Sequence, residues 1–166
     1  MKSTTLFTLA LLTLSQFAFP QDRRPSVIEG YEEVLARVPA NLQETKAAEW
    51  TAIQREVANE ALKKALIDPE PRTHAKLHLK VKNIADWNGL TFFAEVPNKE
   101  GYHIRVFGKF SEDWKERLAT LKKGDAAILE GDLNTLTYRD LWGQFTLSIC
   151  LKDCSFTMDN ADAVKP

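Results

Sequence analysis

Two periods, met one after the other, predict a mainly β protein: a five-stranded Greek-key barrel with a short helix between its third and fourth strands, preceded by a helical extension. Apolar residues fall at helical spacing from Val27 to about Leu66 and alternate in twos after Arg72. Turn signals divide the alternating part into strands, and a single compact amphipathic stretch, "SEDWKERLATLKKGD", interrupts it after the third. The chain has 166 residues, 44% apolar and 27% charged, enough for one ordinary domain with its own core. A net charge of −1 argues against a protein devoted to coating duplex DNA, while leaving room for a local basic groove.

The opening residues, "MKSTTLFTLALLTLSQFAFPQ", read as an export signal over 1–21. Lys2 gives a positive start, and Leu6 to Leu14 is an apolar run shorter than a bilayer span. No cysteine follows that run, so lipid attachment of the lipoprotein kind is not expected, nor is membrane insertion after cleavage. The expected destination is the periplasm or the medium.

Residues 22–70 form the helical extension. Val27, Tyr31, Val34, Leu35 and Val38 predict a first helix, stopped by Pro39. Asn41, with Glu44 three residues on, is the expected cap of a second, longer helix. Leu42, Trp50, Ile53, Val57, Ala61 and Leu66 would form its apolar stripe, and "DPEPR", 68–72, ends it.

The barrel is expected over 71–156. Ala75, Leu77, Leu79 and Val81 point one way and Lys76, His78, Lys80 and Lys82 the other. "DWNG", 86–89, holds the Asn-Gly turn signal, after which Leu90, Phe92, Ala94 and Val96 resume the inward set. "PNKEG", 97–101, turns the chain into a third strand carrying Tyr102, Ile104 and Val106. In the helix that follows, Ser111 is the expected N-cap, Glu112 and Asp113 suit the first turn, Lys122 and Lys123 the last, and Gly124 the C-terminal stop. Its narrow stripe of Trp114, Leu118 and Leu121 suits a plug. "AAILEGDL" is the fourth strand, "NTLTYRDLWGQ" a polar and aromatic excursion, and "FTLSICL" the fifth strand; 157–166 is read as a tail.

Three strands, a helix and two strands is the order of an OB-fold, whose open end the helix closes. Val106-Phe107-Gly108, Lys123-Gly124-Asp125 and Glu130-Gly131 resemble the corresponding points of the bacterial tRNA-anticodon-binding-like OB family, over roughly residues 73–156. The resemblance implies the fold and a nucleic-acid-binding type of module; for the ligand it is analogy.

Phe93 breaks the alternation, since it stands beside the inward Phe92 and so faces outward. On the third strand His103, Arg105 and Phe107 share that side. Strands two and three form the ligand face of an OB barrel, flanked by loops that here hold Trp87 and, later, Tyr138, Arg139 and Trp142. Phe93, Phe107 and Trp87 would stack on a ligand, Arg105, His103, Lys80 and Lys82 would meet anionic groups, and Tyr138, Arg139 and Trp142 would wall the groove. Single-stranded nucleic acid fits such a surface, because bases stack on rings while Lys and Arg meet phosphates; an oligosaccharide could stack on the same platform. Two other readings stay open: the pair is where Trp50, Ile53 and Val57 dock, making this a structural module for envelope proteins, or it is a self-association face. Glu95, Glu130 and Asp132 oppose an anionic ligand, and Glu70 to Lys152 holds 13 Lys and Arg against 11 Asp and Glu.

No phosphate-cradling glycine loop, H-E-x-x-H or nucleophile motif occurs, so no enzymatic activity, cofactor or metal is expected. Cys150 and Cys154 are the only cysteines. Along one straight strand they would lie about 13 Å apart, beyond the roughly 7 Å a disulfide allows, so a bridge requires the chain to turn at Lys152-Asp153.

Overall fold

A computed structural model describes residues 26–43, 45–86, 88–97 and 102–159. The expectations for the export signal, Glu44, Trp87, most of the 97–101 turn and most of the tail lie outside the described residues. Among the described residues there are six strands: β1 (Val27–Ile28), β2 (His74–Asp86), β3 (Leu90–Pro97), β4 (His103–Lys109), β5 (Ala126–Leu141) and β6 (Gln144–Met158). The order is β1-β2-β3-β4-β6-β5, with β2 also pairing to β5.

That second pairing bends the sheet into a ring. β2 gives its first half, His74 to Lys80, to β5 and its second half, Val81 to Asp86, to β3. All neighbours in the ring are antiparallel except β4 and β6, whose parallel register joins His103 to Thr146 and Phe107 to Cys150. This is an OB-like barrel. The sixth strand, unexpected from the sequence, is a two-residue parallel addition of Val27 and Ile28 to the outer edge of β2.

The inward residues are those the alternation selects. Leu77, Leu79, Val81, Phe92, Ala94, Ile104, Val106, Leu129, Leu133, Leu147, Ile149 and Leu151 are all buried. Gly131 belongs here for a spatial reason: a Cβ there would stand 2.8 Å from the Lys152 carbonyl oxygen and 2.8 Å from Cys154 Sγ.

The excursion expected between the last two strands is not a loop. β5 runs on to Leu141 and turns back through Trp142 and Gly143, at φ 54° and 74°, into β6. Two successive positive φ values make the tight hairpin turn whose twist suits flanking strands.

The helical part also differs from expectation. In place of two helices it has α1 (Tyr31–Leu35), α2 (Ala40–Gln43), a 3-10 turn at Ala47–Glu49, α3 (Ala52–Leu62) and a π turn at Lys63–Ile67. Thr51, not Asn41, is the effective cap: its hydroxyl accepts from Gln54 N while Gln54 Oε1 accepts from Thr51 N. α3 presents Ala58 and Leu62 to the protein, both fully buried, and leaves Ile53 74% and Val57 47% exposed. One polar residue accounts for this choice. Asn59 receives the Tyr138 N–H at 2.7 Å and donates to the Tyr138 carbonyl at 3.1 Å. Its amide thereby stands in for a neighbouring strand along the free edge of β5.

Between β4 and β5 the plug is shorter than expected, a 3-10 turn (Glu112–Trp114) running into a single α-helical turn, α4 (Lys115–Leu118). Ser111 makes no side-chain cap there, and Lys122, Lys123 and Gly124 lie past the helix in a turn docked on Val81 by Val81 N to Asp125 O and Gly124 N to Val81 O. Leu118 and Leu121 are buried, and Trp114 packs on Phe110 and Phe156.

Cys150 and Cys154 are free thiols. The turn that a bridge between them would require is absent, because β6 passes through both cysteines. A bulge at Asp153, φ 52°, puts Cys154 inside, beside Gly108 and Gly131, while Cys150 sits opposite Phe107 on the outer wall. Burial pushes the Cys154 thiol up to about 12. Since the thiolate is the reactive form, an aromatic disulfide reagent at pH 8 should modify one thiol in the native protein and two in denaturant. Zero in denaturant would reveal a bridge instead.

A candidate nucleic-acid interface on the outer wall

The β3–β4 register sets Phe93 directly opposite Phe107. Their rings stack at 5.1 Å between centroids and 22° between planes. Trp142, from the β5–β6 turn, meets Phe93 edge-on at 6.1 Å. Lys82 lies 5.8 Å over the Phe93 ring. Phe93 itself is 5% exposed, Phe107 is half-buried and Trp142 is 64% exposed, so the accessible aromatic surface belongs to Phe107 and Trp142, with Phe93 behind them.

Arg105 joins the turn to the wall. Its Nε donates to Glu95 Oε1 at 3.0 Å, its Nη1 to the Leu141 carbonyl at 3.0 Å and its Nη2 to Gln144 Oε1. The Trp142 ring covers the guanidinium at 4.5 Å. Burial lowers its pKa from the ordinary value. At 4% exposure, Arg105 holds the hairpin tip in place and offers little to a ligand, contrary to the role the sequence suggests for it.

Glu95 is the hub beside it, bonded to Arg105, to Lys82 and, at 3.2 Å, to His103 Nδ1. Lys109, which sequence reasoning passed over, donates to Thr91 Oγ1 at 2.7 Å and the Asn88 carbonyl at 3.3 Å, at the far end of the wall. The signal for it was available, since Lys109 continues the outward series of His103, Arg105 and Phe107. Arg139 is exposed and donates to Ser148 Oγ at 3.1 Å. Thr146 and Ser148 floor the wall between β4 and β5, both buried.

Two expected members belong elsewhere. Tyr138 is 3% exposed and faces the helical side, where Trp50 meets it edge-on at 4.9 Å and Tyr102 and Phe145 complete the cluster. Lys80 is exposed and pairs in register with Ala126 on β5, away from the β3 partner of Lys82. Trp87 lies outside the described residues.

The helices do not cover the ring pair. α3 packs on β5, and Trp50 lies on Tyr138 with its Nε1 donating to the Leu42 carbonyl and Thr45. The alternative in which Trp50, Ile53 and Val57 dock over Phe93 and Phe107 is therefore not what the described residues do, since Ile53 and Val57 stand exposed. α3 turns its buried apolar face to β5, where Asn59 meets a backbone edge.

No family description and no curated protein matches this chain. Solved structures do. The mitochondrial single-stranded DNA binding protein Rim1 from S. cerevisiae is similar over 52% of this chain and 94% of its own, with 14% identity and a TM-score of 0.33. The small single-stranded DNA-binding protein from Streptomyces coelicolor is similar over 54% of this chain and 94% of its own, with 18% identity and a TM-score of 0.30. Asparaginyl-tRNA synthetase from Entamoeba histolytica is similar over 56% of this chain, which spans only 22% of that enzyme, with 9% identity and a TM-score of 0.35.

Proposed function

We propose that this chain is an exported, non-enzymatic OB-type binding module, and that it takes single-stranded nucleic acid or a similar anionic polymer across the outer wall of β3 and β4. The observation that carries the reading is the stacked Phe93–Phe107 pair, edged by the exposed Trp142 and lying outside the area the helices cover. Phe107 and Trp142 offer faces to bases, and Lys82, Lys109 and Arg139 offer charge to phosphates on either side of them. Each stacked base contributes about 1–3 kcal/mol, and a few phosphate contacts give a moderate salt slope of about −0.7 for each.

A labelled 20-nucleotide oligothymidine tests this. Binding is expected at low salt, weakening steadily as salt rises. Phe107→Ala and Trp142→Ala should each weaken it by about fivefold or more, the lower end of the stacking range. No binding at low salt, or binding indifferent to both substitutions, overturns the reading.

A further inference from the structure

Three nitrogen-bearing side chains converge on one carboxylate at the edge of this aromatic pair, an arrangement that goes beyond the stacking surface itself. Glu95 Oε1 accepts from Arg105 Nε at 3.0 Å and lies 3.2 Å from His103 Nδ1, while Oε2 is bonded to Lys82. The carboxylate is only 12% exposed, but the Lys82 and His103 side chains are 47% and 36% exposed. Two fixed cations and an imidazole thus surround a single negative charge, and two of the three still open to solvent.

We propose that Lys82 and His103 form the open side of a subsite for a phosphate group beside the Phe93–Phe107 stack, and that Glu95, held from behind by the buried Arg105, fills it as a built-in competitor. The idea rests on the reading of the wall as a surface for an anionic polymer. A carboxylate and a phosphodiester present the same kind of charged acceptor oxygens, so donors aimed at one serve the other. Lys82 is the link between the two parts, since its ammonium contacts Glu95 and also lies over the Phe93 ring. An incoming phosphate must compete with Glu95 for that ammonium and meets its negative charge at contact range. Glu95 thereby lowers affinity for anions while leaving stacking of neutral rings untouched. It tunes the surface toward chains that bring stacking and charge together.

Glu95→Gln tests this, because glutamine keeps the size of the side chain and an acceptor oxygen for Arg105. The matched control is Glu130→Gln, which removes the same charge from a carboxylate paired with Lys76 at 3.4 Å. Against the 20-nucleotide oligothymidine, E95Q should bind about fivefold tighter, the factor expected for one unit charge at about 4 Å in water. Its salt slope should steepen by about 0.7, and E130Q should stay within twofold of the parent. E95Q binding no tighter than a parent that does bind, or E130Q gaining equally, overturns the proposal. Inorganic phosphate, followed through the His103 ring resonances, separates this from the reading it rests on. A saturating shift in E95Q without any oligonucleotide binding keeps the subsite and removes the polymer, whereas no shift in E95Q removes the subsite. Should E95Q fail to fold, the same titration of the parent against Lys82→Ala decides, with the shift expected in the parent and lost in K82A, and an equal response in both counting against it.

Discussion

Replacing Arg105 with alanine is expected to destabilise the protein by about 3 kcal/mol and to release the turn at Trp142 and Gly143. The guanidinium is buried and ties Glu95 on β3 to two groups flanking the β5–β6 turn, the Leu141 carbonyl and Gln144. Removing one member of a buried pair costs about 3–5 kcal/mol, because the partner is left desolvated and unpaired. Glu95 keeps Lys82 and His103, which sets the expected loss at the lower end. Trp142 would lose the cation beneath its ring, so its fluorescence should shift toward that of a solvated indole. Arg105→Lys should recover less than half of the loss, since one ammonium cannot span three acceptors set around a planar fork. Chemical denaturation with tryptophan emission as the readout measures both effects. A loss below about 1 kcal/mol with unchanged emission would show that the tip is held by its backbone ladder alone.

The second large effect belongs to Trp50. Its ring is 6% exposed, wedged edge-on against Tyr138, and its Nε1 holds the Leu42 carbonyl and the Thr45 hydroxyl. Trp50→Ala should cost about 3–4 kcal/mol, in the range for buried aromatic truncations. Trp50→Phe, which keeps most of the ring and loses both hydrogen bonds, should cost about 1–2 kcal/mol. The same variants bear on function. Because Trp50 packs on the β5 side and not on Phe93 or Phe107, folded W50F should bind oligothymidine within twofold of the parent. A drop matching that of Phe107→Ala would mean that the helical segments contribute to the binding wall after all.

The barrel's inner residues were legible because each strand alternates cleanly between its irregularities. The irregularities themselves were not. In β2 the inward residue after Val81 is Ile84, in β5 Leu136 follows Leu133, and in β6 Cys154 follows Leu151. Each step of three marks a bulge that shifts the phase by one residue. An alternation count treats such a slip as the end of a strand, which is why the stretch from Asn134 to Leu141 read as a loop and the last strand was ended at Leu151. The outward identity of Phe93 and Phe107 was readable for the same reason as the core, since no bulge falls within β3 or β4. What the period could not show was that Arg105, on the same side, is covered by a turn from a distant hairpin. Alternation assigns a side of a sheet, and only the tertiary register decides what lies over it. The helical face was misread for a related reason. Ile53 and Val57 are the more hydrophobic choice, yet α3 turns Ala58 and Leu62 inward, where a small residue permits close approach and Asn59 meets the strand edge.

That amide gives the extension a guarding role. With the segment up to the π turn cut away, the far half of β5 would keep Tyr138's N–H and carbonyl pointing at solvent, a bare selvedge onto which a second molecule could zip. The preceding helices therefore do more than decorate the barrel: one carboxamide among them already occupies the groups to which such a molecule would have to bond.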